Sequence, residues 1–412
     1  MTPELDALSR AYVELAFGIE RHIEGTVDAF FGPPEIKVAA LAGPVPPPPE
    51  LLARAGALLD EVIRADLAPA RADYLTAQVQ ALETTCRTLV GEEFGYTDEV
   101  RRLFDIEPAR TPDTVYEEAI AALDDALPGD GAVADRMIAW RAGFEIPAET
   151  ARSLIDTIVP EIRKRTAALV TLPESEAIEV AIVSDKPWSG YNWYLGDCRS
   201  LIEINTDLPI RANALLDLIC HEGYPGHHAE HAIKELRLYR ERGYGEHAIQ
   251  LINTPECVVS EGIATLAQSV IFTPEAASEW RGALIYGPLG LQVDPGQEVQ
   301  VEHALRQLRS VGGNAALLLH ADGAPEDEVV AYLVRYGLES EARARHRLRF
   351  LGDPLWRAYV FTYHVGFDLL GAWLDLDDDP SSIDGAGDRR QARFVRLLEE
   401  QVTPSAIRSQ LG

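Results

Sequence analysis

The segment His221-Glu222-Gly223-Tyr224-Pro225-Gly226-His227-His228-Ala229-Glu230-His231 constrains the fold of this chain more than any other. It follows the apolar run Leu215-Leu216-Asp217-Leu218-Ile219-Cys220, so His221 and Glu222 emerge from what should be a core helix. Buried there, an imidazole and a carboxylate both need partners. A regular helix cannot serve the whole segment. At about 100° per residue, His227 would sit roughly 240° around the axis from His221, while His228 would be in line but ~10 Å further along. Proline cannot donate its backbone bond and glycine tolerates unusual dihedrals, so Pro225-Gly226 lets the helix bulge and returns one later histidine to the side of the first. A polar helix face that happens to be histidine-rich is the bland alternative. Against it stand four of the chain's ten histidines within eleven residues.

Two histidines with an adjacent glutamate are the parts of a zinc-hydrolase motif, in which the imidazoles bind the ion and the glutamate acts as general base. The common motif spaces its histidines at i and i+4; here the bulge replaces that spacing. Tetrahedral zinc then lacks one protein ligand. Glu261 is the candidate, since Val258-Val259-Ser260-Glu261-Gly262-Ile263-Ala264 is otherwise almost wholly apolar and small, and a glutamate is almost never buried without a partner. Exposure at a helix edge is the competing reading. His228 competes with His227 as second ligand, and His231, one turn beyond His227, is placed to orient it.

The rest of the sequence reads as mostly α with a minor small sheet. Residues 1–172 give helix after helix, with Gly43-Pro44-Val45-Pro46-Pro47-Pro48-Pro49 closing one antiparallel turn. Strand patterns occupy about 177–206: Ile178, Val180 and Ile182 alternate with polar or small residues, and Leu201-Ile202-Glu203-Ile204-Asn205-Thr206 is β-branched. Trp188 to Asp197 reads as an aromatic, glycine-rich connection between them. Helices return beyond Asp207, with starts expected at Asp207-Leu208-Pro209, Thr254-Pro255, Thr273-Pro274, Asp353-Pro354 and Thr403-Pro404, because proline fits the first helical turn. Two regions are expected: 1–172, helical and walling a channel, and 173–412, carrying the sheet and the histidine segment.

Charge narrows the partners. With 66 acidic against 37 basic residues the 412-residue chain carries −29, which repels phosphate backbones and anionic headgroups, so nucleic acid and membrane surfaces are not expected as partners. The start, Met1-Thr2-Pro3-Glu4-Leu5-Asp6, lacks a basic segment followed by an apolar one, and no stretch approaches ~18 apolar residues; the expectation is a cytoplasmic protein. Cys86, Cys198, Cys220 and Cys257 lack CxxC spacing and read as small buried thiols. Asp375-Leu376-Asp377-Asp378-Asp379-Pro380 reads as a solvated loop.

The pattern His221-Glu222-x-x-Pro225-Gly226-His227-His228 followed by Glu261-Gly262-x-Ala264 resembles the bacterial domain-of-unknown-function family eight-eight-five, itself similar to the gluzincin metallopeptidases. Leu308 to His320 and Thr362-Tyr363-His364-Val365-Gly366 are similar to that family's later elements. Ile263 departs from its usual Trp, and Asn314 stands near a usual Asp. The resemblance implies a neurolysin-like, gluzincin-type helical architecture with an active-site channel, a short sheet edge lining it (here the Leu201–Thr206 run), and Tyr363 and His320 stabilising an oxyanion. The functional expectation is a zinc-dependent hydrolase, a metallopeptidase cleaving short peptides, with His221, His227 and Glu261 on Zn2+ and Glu222 as base. The alternatives are a metal-dependent hydrolase of a non-peptide substrate and a non-catalytic metal- or ligand-binding protein.

Overall fold

The structure, a computed structural model, describes residues 3–186, 190–207, 209–376 and 386–412. It is mostly helical, 66% helix and 8% strand. Seven short strands, among the described residues, form three small sheets: β1 (Val27–Phe30), β2 (Glu145–Ile146), β3 (Ala177–Val183), β4 (Gly190–Gly196), β5 (Arg199–Asn205), β6 (Ile210–Arg211) and β7 (Ile249–Leu251). The largest has the order β3-β5-β4, with β3 parallel and β4 antiparallel to the central β5. Ile202 and Ile204 of β5 are buried with Leu215, Leu216 and Ile219, so the alternation of β5 seats the helix Ala212–Glu222 against the sheet.

Early and late parts of the chain interlock. β1 pairs antiparallel with β7, and β2 with β6, so segments from the first 150 residues reach the elements that flank the histidine segment. The proline-rich turn is pinned by Arg21, whose guanidinium donates to Gly43 O at 2.9 Å and Pro44 O at 3.1 Å. All four cysteines are free and buried. No single helix among the described residues is long and apolar enough to cross a membrane.

Several expectations are corrected by packing. Asp207-Leu208-Pro209 starts no helix: Ile210 and Arg211 are spent in β6, and the helix begins at Ala212. Asp353-Pro354 opens turns instead, with Asp353 Oδ1 accepting from Leu355 N at 2.8 Å, and the helix that carries Tyr363 begins only at Val360. Pro255, Pro274 and Pro404 do open their helices. The glycine-rich stretch after Ser189 is strand β4 and not a connection; it forms one edge of the sheet and β3 the other, while Leu201–Asn205 lies in the central β5. Residues 377–380 of the acidic run and Trp188-Ser189 lie outside the described residues.

Candidate metal centre

The helix Ala212–Glu222 ends where Gly223 leaves helical geometry, at φ −109° and ψ −99°. The chain then loops so that Gly226 N donates to Cys220 O at 3.0 Å and Ala229 N to Gly223 O at 3.2 Å, spanning six residues where an α-helix spans four. A Cβ on Gly226 would lie 1.9 Å from His221 O and 2.4 Å from Cys220 O, so only glycine permits this closure. A second helix, His227–Lys234, starts immediately. The result is that the rings of His221 and His227 face each other at 4.8 Å, nearly perpendicular.

The helix Pro255–Ile271 supplies the third group. Glu261 Oε2 lies 3.6 Å from His221 Nε2 and 3.9 Å from His227 Nε2. Ligand atoms at ~2.0–2.2 Å from a tetrahedral zinc would stand roughly 3.3–3.6 Å apart, so the trio is close to the spacing a metal needs. Glu261 is only 5% exposed, and while its Oε1 accepts from Tyr359 OH at 2.8 Å, its buried Oε2 has no hydrogen-bond partner. Burial pushes the Glu261 carboxyl up to about 8; the Tyr359 hydroxyl opposes this and the charge of Glu230 adds to it. Burial lowers His221 to about 4, and burial with the neighbouring His221 and His231 takes His227 well below its usual range. Both imidazoles are therefore neutral at pH 7, the form that binds a metal. A cation among them would compensate Glu261.

Glu222, next to His221, is buried and stands outside the ligand trio. Burial first, and the charge of Glu261 second, push its carboxyl up to about 8. Its backbone carbonyl accepts from Asn192 Nδ2 at 2.6 Å, which ties it to β4. A Cβ on Gly190 would come within 3.3 Å of Glu222 Oε1, so a glycine at the start of β4 keeps the space in front of the carboxylate open. The site opens on a cavity of about 1160 Å³, bordered by Gly190 to Trp193 of β4 and by Trp356, Tyr359 and Tyr363. Asp28 of β1 also faces it, receives the Tyr191 hydroxyl, and is raised to about 6 by burial, which that hydrogen bond opposes.

His221, His227 and Glu261 are thus brought together, with Glu222 beside them and Tyr363 on the cavity wall, its ring 5.6 Å from that of Tyr359. His320 is not brought in. It ends the helix Val311–His320, with Nε2 2.7 Å from Leu351 O and its ring 4.7 Å from Tyr96, and it does not line the cavity. His228 is fully buried and occupied at both nitrogens, by Ser200 Oγ at 2.8 Å and Glu176 Oε2 at 3.1 Å, which removes it as a ligand. His231 stacks parallel to His227 at 5.8 Å, but the partner of His227 Nδ1 is Ser260, at 3.0 Å. Tyr359, Ser260, Asn192 and Asp28 were not legible as site residues. The available signals were slight: Tyr359 precedes Tyr363 by one helical turn, and Ser260 directly precedes Glu261.

No family model and no curated protein matches this chain. Solved structures do. A protein classed as a lipoprotein from Colwellia psychrerythraea superposes with a TM-score of 0.53 at 16% identity, over 88% of this chain and 66% of its own. A lipoprotein of unknown function from Shewanella oneidensis gives a TM-score of 0.47 at 12% identity, over 98% of this chain and 82% of its own. The chain spans about two thirds of the Colwellia protein, and the likeness is one of fold.

These findings correct the resemblance-based expectations. The resemblance to family eight-eight-five is not upheld: no family model matches, and the Colwellia neighbour is described as a lipoprotein. The metallopeptidase assignment goes with it, and the non-peptide hydrolase alternative gains no support from these neighbours. The cytoplasmic expectation is dropped as well, since the Colwellia neighbour is described as a lipoprotein; the likeness of fold assigns this chain no compartment of its own.

Proposed function

We propose that this chain is a metal-dependent enzyme. It holds one divalent ion, zinc by its donors, at His221, His227 and Glu261, and handles a proton through Glu222. The observation that carries the reading is Glu261 Oε2, a buried carboxylate oxygen without a hydrogen-bond partner, between two imidazole nitrogens at 3.6 and 3.9 Å. Leaving such an atom unsatisfied costs ~1–3 kcal/mol or more, which a cation at that point removes.

When bound, the ion supplies Lewis acidity and a water of lowered pKa. The protein's part follows from its own residues. Glu222, buried beside the trio and facing the same cavity, exchanges a proton with a group held there. Tyr363 offers a hydroxyl donor from the cavity wall to negative charge developing on a substrate. Tyr359 holds Glu261 in place. A purely structural zinc would close its shell with a fourth protein ligand, whereas this trio borders an open cavity. The neurolysin-like channel belongs to the same proposal, supported by the cavity beside the two histidine helices, as does a wall contributed by residues 1–172, supported by Asp28. The occupant we propose is small, up to the size of a short peptide, and a chain of −29 charge is poorly suited to nucleic acid.

Elemental analysis of protein purified without chelator tests the centre. The expected result is close to one zinc per chain, lost in His227→Ala and in Glu261→Ala and retained in Glu222→Gln. Absence of stoichiometric metal after zinc supplementation overturns the proposal. In any turnover assay, Glu222→Gln should lower the rate by at least ~100-fold with zinc still bound.

A further inference from the structure

Beside the ligand trio runs a second chain of contacts that water activation does not use. His227 Nδ1 lies 3.0 Å from Ser260 Oγ. The Ser260 hydroxyl donates to Glu230 Oε2 at 2.6 Å, and Lys234 Nζ donates to Glu230 Oε1 at 2.7 Å. Lys234 also donates to Glu256 Oε1 at 3.3 Å, and Glu256 Oε2 accepts from Tyr74 OH at 2.6 Å. Ser260, Glu230 and Lys234 are all buried.

A carboxylate clamped by an ammonium has no proton to give, so the short Ser260–Glu230 contact uses the serine proton. The serine oxygen then has only lone pairs left for His227, and Nδ1 must carry the imidazole hydrogen. That leaves a lone pair on Nε2, the nitrogen that faces Glu261 Oε2. Ligating histidines elsewhere are fixed by a hydrogen bond at their other nitrogen, directly to a carboxylate or carbonyl. Here Glu230 is 4.0 Å from His227 Nδ1, and the serine bridges the gap.

We propose that Ser260 and Glu230 are positioning residues that set the tautomer and ring orientation of His227 for metal binding, with Lys234 anchoring the relay. The inference rests on the metal reading above. It also decides between two groupings of possible ligands, because His227, Glu230 and His231 form a second cluster within ligand range. In that cluster both oxygens of Glu230 are already engaged, by Ser260 and Lys234, and Nδ1 of His227 is engaged as well. The metal therefore belongs with His221 and Glu261.

The test uses the full chain, with zinc affinity measured by chelator competition and the visible spectrum of the cobalt(II)-substituted protein as a geometric readout. Ser260→Ala should weaken zinc binding by about 10- to 100-fold and alter the cobalt bands, with Glu230→Gln changing both in the same direction. Ser260→Thr, which keeps the hydroxyl, should restore most of the affinity. Metal-free circular dichroism and melting of each variant report whether the fold is intact; if one variant fails to fold, the other carries the test. Wild-type zinc affinity and an unchanged cobalt spectrum in Ser260→Ala overturn the relay while leaving the metal centre standing. A wild-type protein that binds no zinc overturns both. Loss of zinc in His231→Ala with retention in Glu261→Ala would move the ion to the second cluster and overturn the relay too.

Discussion

At the scale of the residue, Glu261 is stabilised by one tyrosine and otherwise faces two neutral imidazoles. Glutamine carries no charge at any pH, whereas the raised Glu261 carboxyl ionises as pH climbs towards 8, and the amide hydrogens can be accepted by the imidazole lone pairs. The metal-free Glu261→Gln protein should therefore melt no lower than wild type, with a gain on the order of 1 kcal/mol. Zinc, which should raise the wild-type melting temperature, should leave that of the variant unchanged. A large loss of metal-free stability would show that Glu261 is structural. Gly226 leads to the opposite expectation. A methyl group there meets two backbone carbonyls, which cannot move as a side-chain tip could, so Gly226→Ala should cost at least ~3 kcal/mol and abolish zinc binding. Chemical denaturation with and without zinc checks both variants. Glu261 and Gly226 were legible because each is chemically out of place: a charge in an apolar helix, a breaker in a helical run. His320 was misplaced because nothing local in Leu308–His320 reports which wall its helix joins; the contact with Leu351 O is set by tertiary packing.

Between elements, the site depends on how closely two helices approach. Gly262, beside Glu261, and Gly366, three residues past Tyr363, lie against each other: a Cβ on Gly366 would be 2.5 Å from Val258 O and 3.0 Å from Gly262 N. Gly366→Ala must separate these helices, with a cost of about 1–3 kcal/mol from overpacking. Because the same movement draws Tyr359 away from Glu261, zinc affinity should fall along with stability; thermal melting and chelator competition on one preparation would show the two changes together. Unaltered zinc affinity in a destabilised Gly366→Ala would separate the helix contact from the centre. Sequence pattern located strands β3 and β5 of the main sheet and the helices that open at Pro255, Pro274 and Pro404. It missed β4, whose Gly190 and Gly196 look like a loop and whose Tyr191, Asn192 and Trp193 earn their strand conformation from pairing with β5. It also set the start of the Tyr363 helix too early, because the Asp353 carboxylate caps a turn and not a helix.

On the scale of the whole molecule, residues from both ends of the chain converge on one buried network. Arg71 bonds Glu246 Oε1 at 2.9 Å and Oε2 at 2.8 Å and Asp6 Oδ2 at 2.7 Å, while Gln401 Nε2 donates to Glu246 Oε1 at 2.9 Å. Burial by itself would raise the Glu246 carboxyl, but the hydrogen bonds and charge of Arg71, with the charge of His247, win and hold it below its ordinary value. A folded-state value below the unfolded one means the stabilisation is present above about pH 4.5 and is lost as pH falls through the folded value. Glu246→Gln should therefore cost on the order of 3 kcal/mol at pH 7, and the gap to wild type should narrow on acidification. Urea melts between pH 3 and 7 would show it; a gap that widens in acid would refute this account. No sequence spacing could have disclosed the network, since its members lie as far apart as Asp6 and Gln401.

The cavity wall described above carries Asp217 and Glu256 and, as they ionise with rising pH, Asp28, Glu222 and Glu261, within a chain of −29. Their consequence is kinetic. Such a field concentrates small cations at the mouth, so metal capture should be fast and should slow as ionic strength rises, the screening length shrinking to ~10 Å at 0.1 M salt. An anionic molecule entering by the same route moves against that gradient, and Arg211 and Arg349 on the same wall are where it would first find opposite charge.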